Sequence, residues 1–61
     1  MTPQEIKDAL KECDITQTSI ADELGVRQPA VNQVIHKRQT SRRIQEAICK
    51  AISKEFNEVW G

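Results

Sequence analysis

The chain is poor in almost everything that marks a secreted, membrane-bound or catalytic protein. No run of about 18 apolar residues is present, and no N-terminal succession of charged, apolar and small residues. That excludes a spanning helix and a signal peptide, and predicts a soluble, cytoplasmic protein without a membrane partner. Cysteine occurs only at Cys13 and Cys49, far apart and outside any CxxC, so the pattern is not a secreted disulfide framework. Together with the single histidine, His36, their separations fit no structural zinc site. Cys13 lies on an apolar stripe and is expected as a buried reduced thiol, whereas Cys49 sits at the edge of its stripe and is expected to be partly exposed. Phosphate-cradling glycine loops are missing, as is any Ser or Cys paired with a base. Asp8, Glu12 and Asp22 lie on polar helix sides with neither nucleophile nor histidine close in sequence. These absences argue against an enzyme, a metal, a cofactor and a small-molecule ligand. With 61 residues the chain buries only about 60% of its unfolded surface, which leaves room for a binding surface but little for an enclosed active site. One domain, residues 1–61, is expected.

Acidic residues are also missing from one stretch. The formal net charge is zero, yet no Asp or Glu occurs between Glu23 and Glu46, where Arg27, Lys37, Arg38, Arg42 and Arg43 lie with His36. All nine acidic residues sit outside that stretch, accompanied by only four basic ones, Lys7, Lys11, Lys50 and Lys54. A neutral total therefore hides a basic middle, and near a polyanion the local field decides.

The periodicity throughout is helical. TPQE opens a first helix, with Thr2 as cap, Pro3 in the first turn and Glu5 completing a capping box; Ile6, Ala9, Leu10 and Cys13 form its stripe. After a break at Asp14 and Ile15, Thr16 caps a second helix to Leu24, with Ile20 and Leu24 inward, and Gly25 ends it. A third helix starts near Gln28 and tolerates Pro29 only because the first turn has no hydrogen bond to lose. Thr40 or Ser41 caps a fourth, about Arg42 to Ile52, which turns Ile44, Ala47, Ile48 and Ala51 inward. A last turn around Phe56 to Trp60 brings the only two aromatics to the bottom of the core. No pattern of period two is present, so the fold class is all-α, with four to five helices.

The third helix carries an unusual face. In GVRQPAVNQVIH, Ala30, Val31, Val34 and Ile35 share one side, while Gln28, Pro29, Asn32, Gln33 and His36 share the other. That second side is polar but almost uncharged, where a solvated helix would show Lys, Glu and Arg. Side-chain amides hold a donor and an acceptor at fixed separation, the pattern that matches N6 and N7 of adenine in the major groove, at about 1–3 kcal/mol of discrimination per good pair. The basic residues before and after it are placed to meet phosphates on either side of that groove.

Two helices joined at a glycine, with Ala21 four residues before Gly25 and Ile20, Leu24, Val26, Val31 and Val34 as locking contacts, form a helix-turn-helix. Residues 17–36 resemble the helix-turn-helix of the lambda repressor and Cro superfamily, the XRE-like family. GV-x-Q-x-A-x-N-x-x-I-H is most similar to Cro-type members, whereas RRIQEAICKAI and NEVW resemble helical repressor domains and the small Ner-like phage regulators. Cro-type chains continue into strands after this motif, and this one continues into helices. The resemblance implies a compact lambda-repressor-like DNA-binding domain. It implies base contacts from Gln28, Asn32 and Gln33, and a Gln17 that bonds a phosphate and braces Gln28. Pro29 stands where relatives have Ser or Gln, and either packs on a thymine methyl or stiffens the helix start. Arg27, His36, Lys37, Arg38, Arg42 and Arg43 are the expected phosphate contacts. For His36 the competing role is a favourable C-terminal dipole contact, and of the adjacent Arg42 and Arg43 only one is expected to face DNA.

The resulting expectation is a sequence-specific transcriptional regulator of phage or prophage repressor or Cro-like type. It would read double-stranded operator DNA as a homodimer, at least on DNA, across half-sites about one turn apart. Phe56, Val59 and Trp60 are its candidate dimer surface, unless they belong to the core. A helix-turn-helix that docks on protein, or an antitoxin-like module, is the competing class. The aromatic ending favours a whole natural protein over a piece of a longer repressor.

Overall fold

The computed structural model describes all 61 residues and contains five helices and no strand. They are α1 (Pro3–Glu12), α2 (Gln17–Leu24), α3 (Gln28–Ile35), α4 (Arg42–Ile52) and α5 (Phe56–Val59). None is long and apolar enough to cross a membrane. α1 begins on the expected reciprocal cap: the Glu5 amide donates to the Thr2 hydroxyl at 3.1 Å, and the Thr2 amide donates to the Glu5 carboxylate at 2.8 Å. Those bonds hold the Glu5 carboxyl below its ordinary pKa. α2 begins on Thr16, whose hydroxyl accepts from the Ser19 amide at 3.0 Å. Ser41 occupies the cap position of α4, but its hydroxyl accepts no capping bond.

The helix ends follow one rule that composition hides. Gly25 takes φ +69°, and the Val26 amide reaches back to the Ala21 carbonyl at 2.9 Å. Asp14, Lys37 and Ser53 adopt the same left-handed conformation, with φ of 59°, 61° and 56°. Behind them Ile15, Arg38 and Lys54 donate to Leu10, Gln33 and Cys49 at 2.9, 2.9 and 3.0 Å. Four helices thus close with a Schellman-type turn, and only one of the four uses glycine.

The core takes Ile6 and Leu10 from α1, Ile20 and Ala21 from α2, Val31, Val34 and Ile35 from α3, Ile44, Ile48, Cys49 and Ile52 from α4, and Val59 from α5. The expected inward face of α4 is rotated slightly: Ala47 and Ala51 are only half-buried, while Cys49 and Ile52 are enclosed. The cause is α5, which folds back across that edge and is fastened by the Trp60 indole N–H donating to the Gln45 carbonyl at 3.1 Å. The Met1 ammonium adds bonds to the Glu58 and Val59 carbonyls at 3.3 and 3.0 Å.

Two further expectations are corrected. Cys13 is exposed and Cys49 buried, the reverse of the pattern-based assignment. α1 ends at Glu12, and the turn at Asp14 leaves nothing over Cys13. Leu24 is half-buried rather than inward. Of the two roles open to Phe56, Val59 and Trp60, the structure shows core packing: Val59 is buried and both aromatics pack against the core.

Candidate nucleic-acid interface

α2 and α3 make the most extensive helix pair of the molecule, joined through Gly25, Val26 and Arg27. Ala21 is buried between them and Val31 and Val34 lock α3 from below. This leaves the opposite side of α3 outward. Gln28 and Pro29 are exposed at its first turn, and Asn32 and Gln33 are half-buried one turn later. No carboxylate contact occupies any of these side chains. Pro29 lies in the first turn, so its missing N–H removes no helical bond.

One contact ties α2 to this face. The Asn32 side-chain amide donates to the Gln17 carbonyl oxygen at 3.3 Å. The expected brace from Gln17 therefore reaches Asn32 and not Gln28, because Gln17 opens α2 beside the second turn of α3. The pairing leaves the Gln17 amide N–H groups and the Asn32 carbonyl oxygen unspent, so together they still offer both a donor and an acceptor. Gln28 is left with a full amide and no intramolecular partner.

The basic residues divide into two groups. Arg27 is the N-cap of α3 without a side-chain capping bond, His36 is its half-buried C-cap, and Lys37 and Arg38 follow in the exposed turn. None of these side chains is paired with a carboxylate. Arg42 and Arg43, in contrast, are held by the chain. The Arg42 guanidinium bonds Glu46 at 3.1 Å and lies 4.5 Å from the Phe56 ring centroid. Arg43 donates to the Leu24 carbonyl at 2.9 Å, across the cleft between α2 and α4. The charge free to meet a polyanion beside α3 thus comes from Arg27, Lys37 and Arg38. No cluster of His, Cys, Asp or Glu is arranged to hold a metal ion.

A tight αα pair with a left-handed glycine corner, backed by three further helices, and with an uncharged polar face flanked by free cations, defines a DNA-binding helix-turn-helix domain. A family model described as helix-turn-helix matches residues 6–59, nearly the whole chain. The chain belongs to the helix-turn-helix family of the XRE, or lambda-repressor, type, a family of DNA-binding regulators. No match is found among curated proteins or among solved structures.

Proposed function

We propose that this chain is a sequence-specific transcriptional regulator of the phage or prophage repressor or Cro-like type, and that it reads operator DNA with the amide face of α3. The observation that carries the reading is that face itself, an accessible row of Gln28, Asn32 and Gln33 without a charge, beside cations that have no partner of their own. Charged groups along the row would bind any phosphate; amides discriminate among base edges. Gln28 takes an adenine edge bidentately, and Pro29 packs on a neighbouring thymine methyl. Gln17 holds Asn32 in register while its own N–H groups reach a phosphate. Arg27, His36, Lys37 and Arg38 supply backbone contacts, joined by whichever of Arg42 and Arg43 exchanges its internal partner for a phosphate. The chain works as one domain in the cytoplasm. Two copies bind one palindromic site, and occupancy of a promoter represses it by blocking polymerase.

Selection of bound sequences from a randomised duplex pool tests this reading. Recovery of a palindrome, with affinity falling steeply as salt rises by about 0.9 log units per phosphate contact and salt decade, supports it. Recovery of no preferred sequence contradicts it and favours a protein partner for α3. Replacing thymine by uracil at the position next to the Gln28 contact removes only a methyl group, and weaker binding of that duplex is expected.

A further inference from the structure

Lys7 and Lys11 stand outside the basic middle of the sequence, in an acidic flank where they look like solvating charge. The fold moves them. Both lie on one side of α1, four residues apart, and with Gln17 they line an open cleft of about 290 Å³ between α1 and the start of α2. Neither ammonium is paired: the ion pairs of the chain are Arg42 with Glu46 and Lys54 with Glu58. Two like charges at this spacing repel each other, and an anion between them relieves that repulsion. Asp14 also lines the cleft and opposes an anion, but two lysines outweigh one carboxylate. The cleft opens beside Gln17, and Gln17 is bonded to Asn32 on the outward face of α3. A backbone strand that passes Gln17 beside that face would meet the cleft both lysines line.

We propose that Lys7 and Lys11 together grip a backbone phosphate of the bound DNA, on the α1 side of Gln17. This inference rests on the reading of α3 as the base-contacting helix. It extends the phosphate footprint beyond the basic middle of the sequence, to cations of α1 that line the cleft beside Gln17.

The test is anisotropy titration of the full chain over a range of salt, with a selected duplex and a random-sequence duplex of the same length. Lys7→Gln with Lys11→Gln is compared with the wild type, with Lys7→Arg plus Lys11→Arg, and with Lys50→Gln on α4. The glutamine double variant is expected to weaken both duplexes by the same factor and to flatten the plot of log affinity against log salt by about 0.9, the loss of one phosphate. The arginine double variant and Lys50→Gln keep the wild-type slope. Since neither lysine is buried, the circular dichroism spectrum of the variants stays native. An unaltered slope in a glutamine variant that still prefers the selected duplex overturns the assignment of the lysines and leaves base reading by α3 intact. If instead the wild type shows no sequence preference, the base-reading account fails, and the slope measured on the random duplex still decides for or against the lysines.

Discussion

At the scale of the residue, the two cysteines show how much a single turn decides. Helical spacing puts Cys13 in line with Ile6 and Leu10, yet it lies one residue past the last helical position of α1 and is exposed. Cys49, at the edge of its stripe, is covered by the returning α5 and is buried. Burial pushes the Cys49 thiol above its ordinary value of 9.0, against a weaker opposing bond with Trp60. In the unfolded chain this thiol ionises first, so the stability it contributes is complete below pH 9.0 and declines as the pH rises beyond that value. Two outcomes follow for a disulfide reagent at neutral pH, followed by absorbance. Cys13 reacts at the rate of a free thiol, and Cys49 reacts only as fast as the core opens. Equal rates for both would contradict the packing of α5 on α4. The amide positions are equally local. That Gln28 stands exposed on an uncharged polar face was legible, because such a stripe is conspicuous among charged ones. The Gln17 to Asn32 bond was not, because it joins positions 15 apart through the crossing of α2 and α3.

Helix starts and ends carry opposite lessons at the scale of the element. Starts are written in side chains, and Thr2 and Thr16 make the bonds their positions predict. Ser41 has the right identity and no capping bond. Thr16→Ala is therefore expected to lower stability by about 1 kcal/mol, while Ser41→Ala changes it by only a few tenths. In thermal unfolding a difference of 1 kcal/mol corresponds to roughly 4–8 °C for a domain of this size, which separates the two variants. Ends are written in backbone conformation, which sequence reveals only where glycine is used. Gly25 was readable, whereas Asp14, Lys37 and Ser53 enter the left-handed region at a cost of roughly 1–2 kcal/mol each, with no mark in the pattern. Ser53→Gly and Asp14→Gly should each raise stability, by about 0.5–1 kcal/mol once the greater freedom of glycine in the unfolded chain is subtracted. Gly25→Ala should do the reverse by about 1 kcal/mol, and conformation alone is the cause, since a Cβ there meets no atom within 4 Å. A rise in stability on Gly25→Ala would rule out the left-handed corner. The starts of α3 and α4 were legible to about a residue because Pro29 and the polar KRQTS segment mark them, whereas α3 ends at Ile35, with His36 already its cap. The inward face of α4 was displaced because its packing partner, α5, is too short to announce itself by periodicity.

On the scale of the whole molecule, size and surface constrain how DNA is read. The chain measures 25 Å in its longest direction, so one copy covers roughly seven base pairs at about 3.4 Å each. No large apolar side chain is exposed, and the aromatics that a dimer would have used are packed on the core. The chain is accordingly expected to sediment as a monomer at micromolar concentration and to pair on a two-half-site duplex. A stable dimer in free solution would contradict that. Pairing, phosphate contacts and fold all feed a bulk affinity, so affinity alone does not isolate what α3 does. A cycle between one side chain and one base pair does. Wild type and Gln28→Ala are titrated at fixed salt against the selected duplex and against the same duplex with the base pair opposite Gln28 replaced. The wild type should lose about 10- to 100-fold on replacement, the equivalent of about 1–3 kcal/mol, and Gln28→Ala should lose almost nothing further. Equal losses for both proteins would show that Gln28 does not read that base, and the amide face of α3 would need another partner.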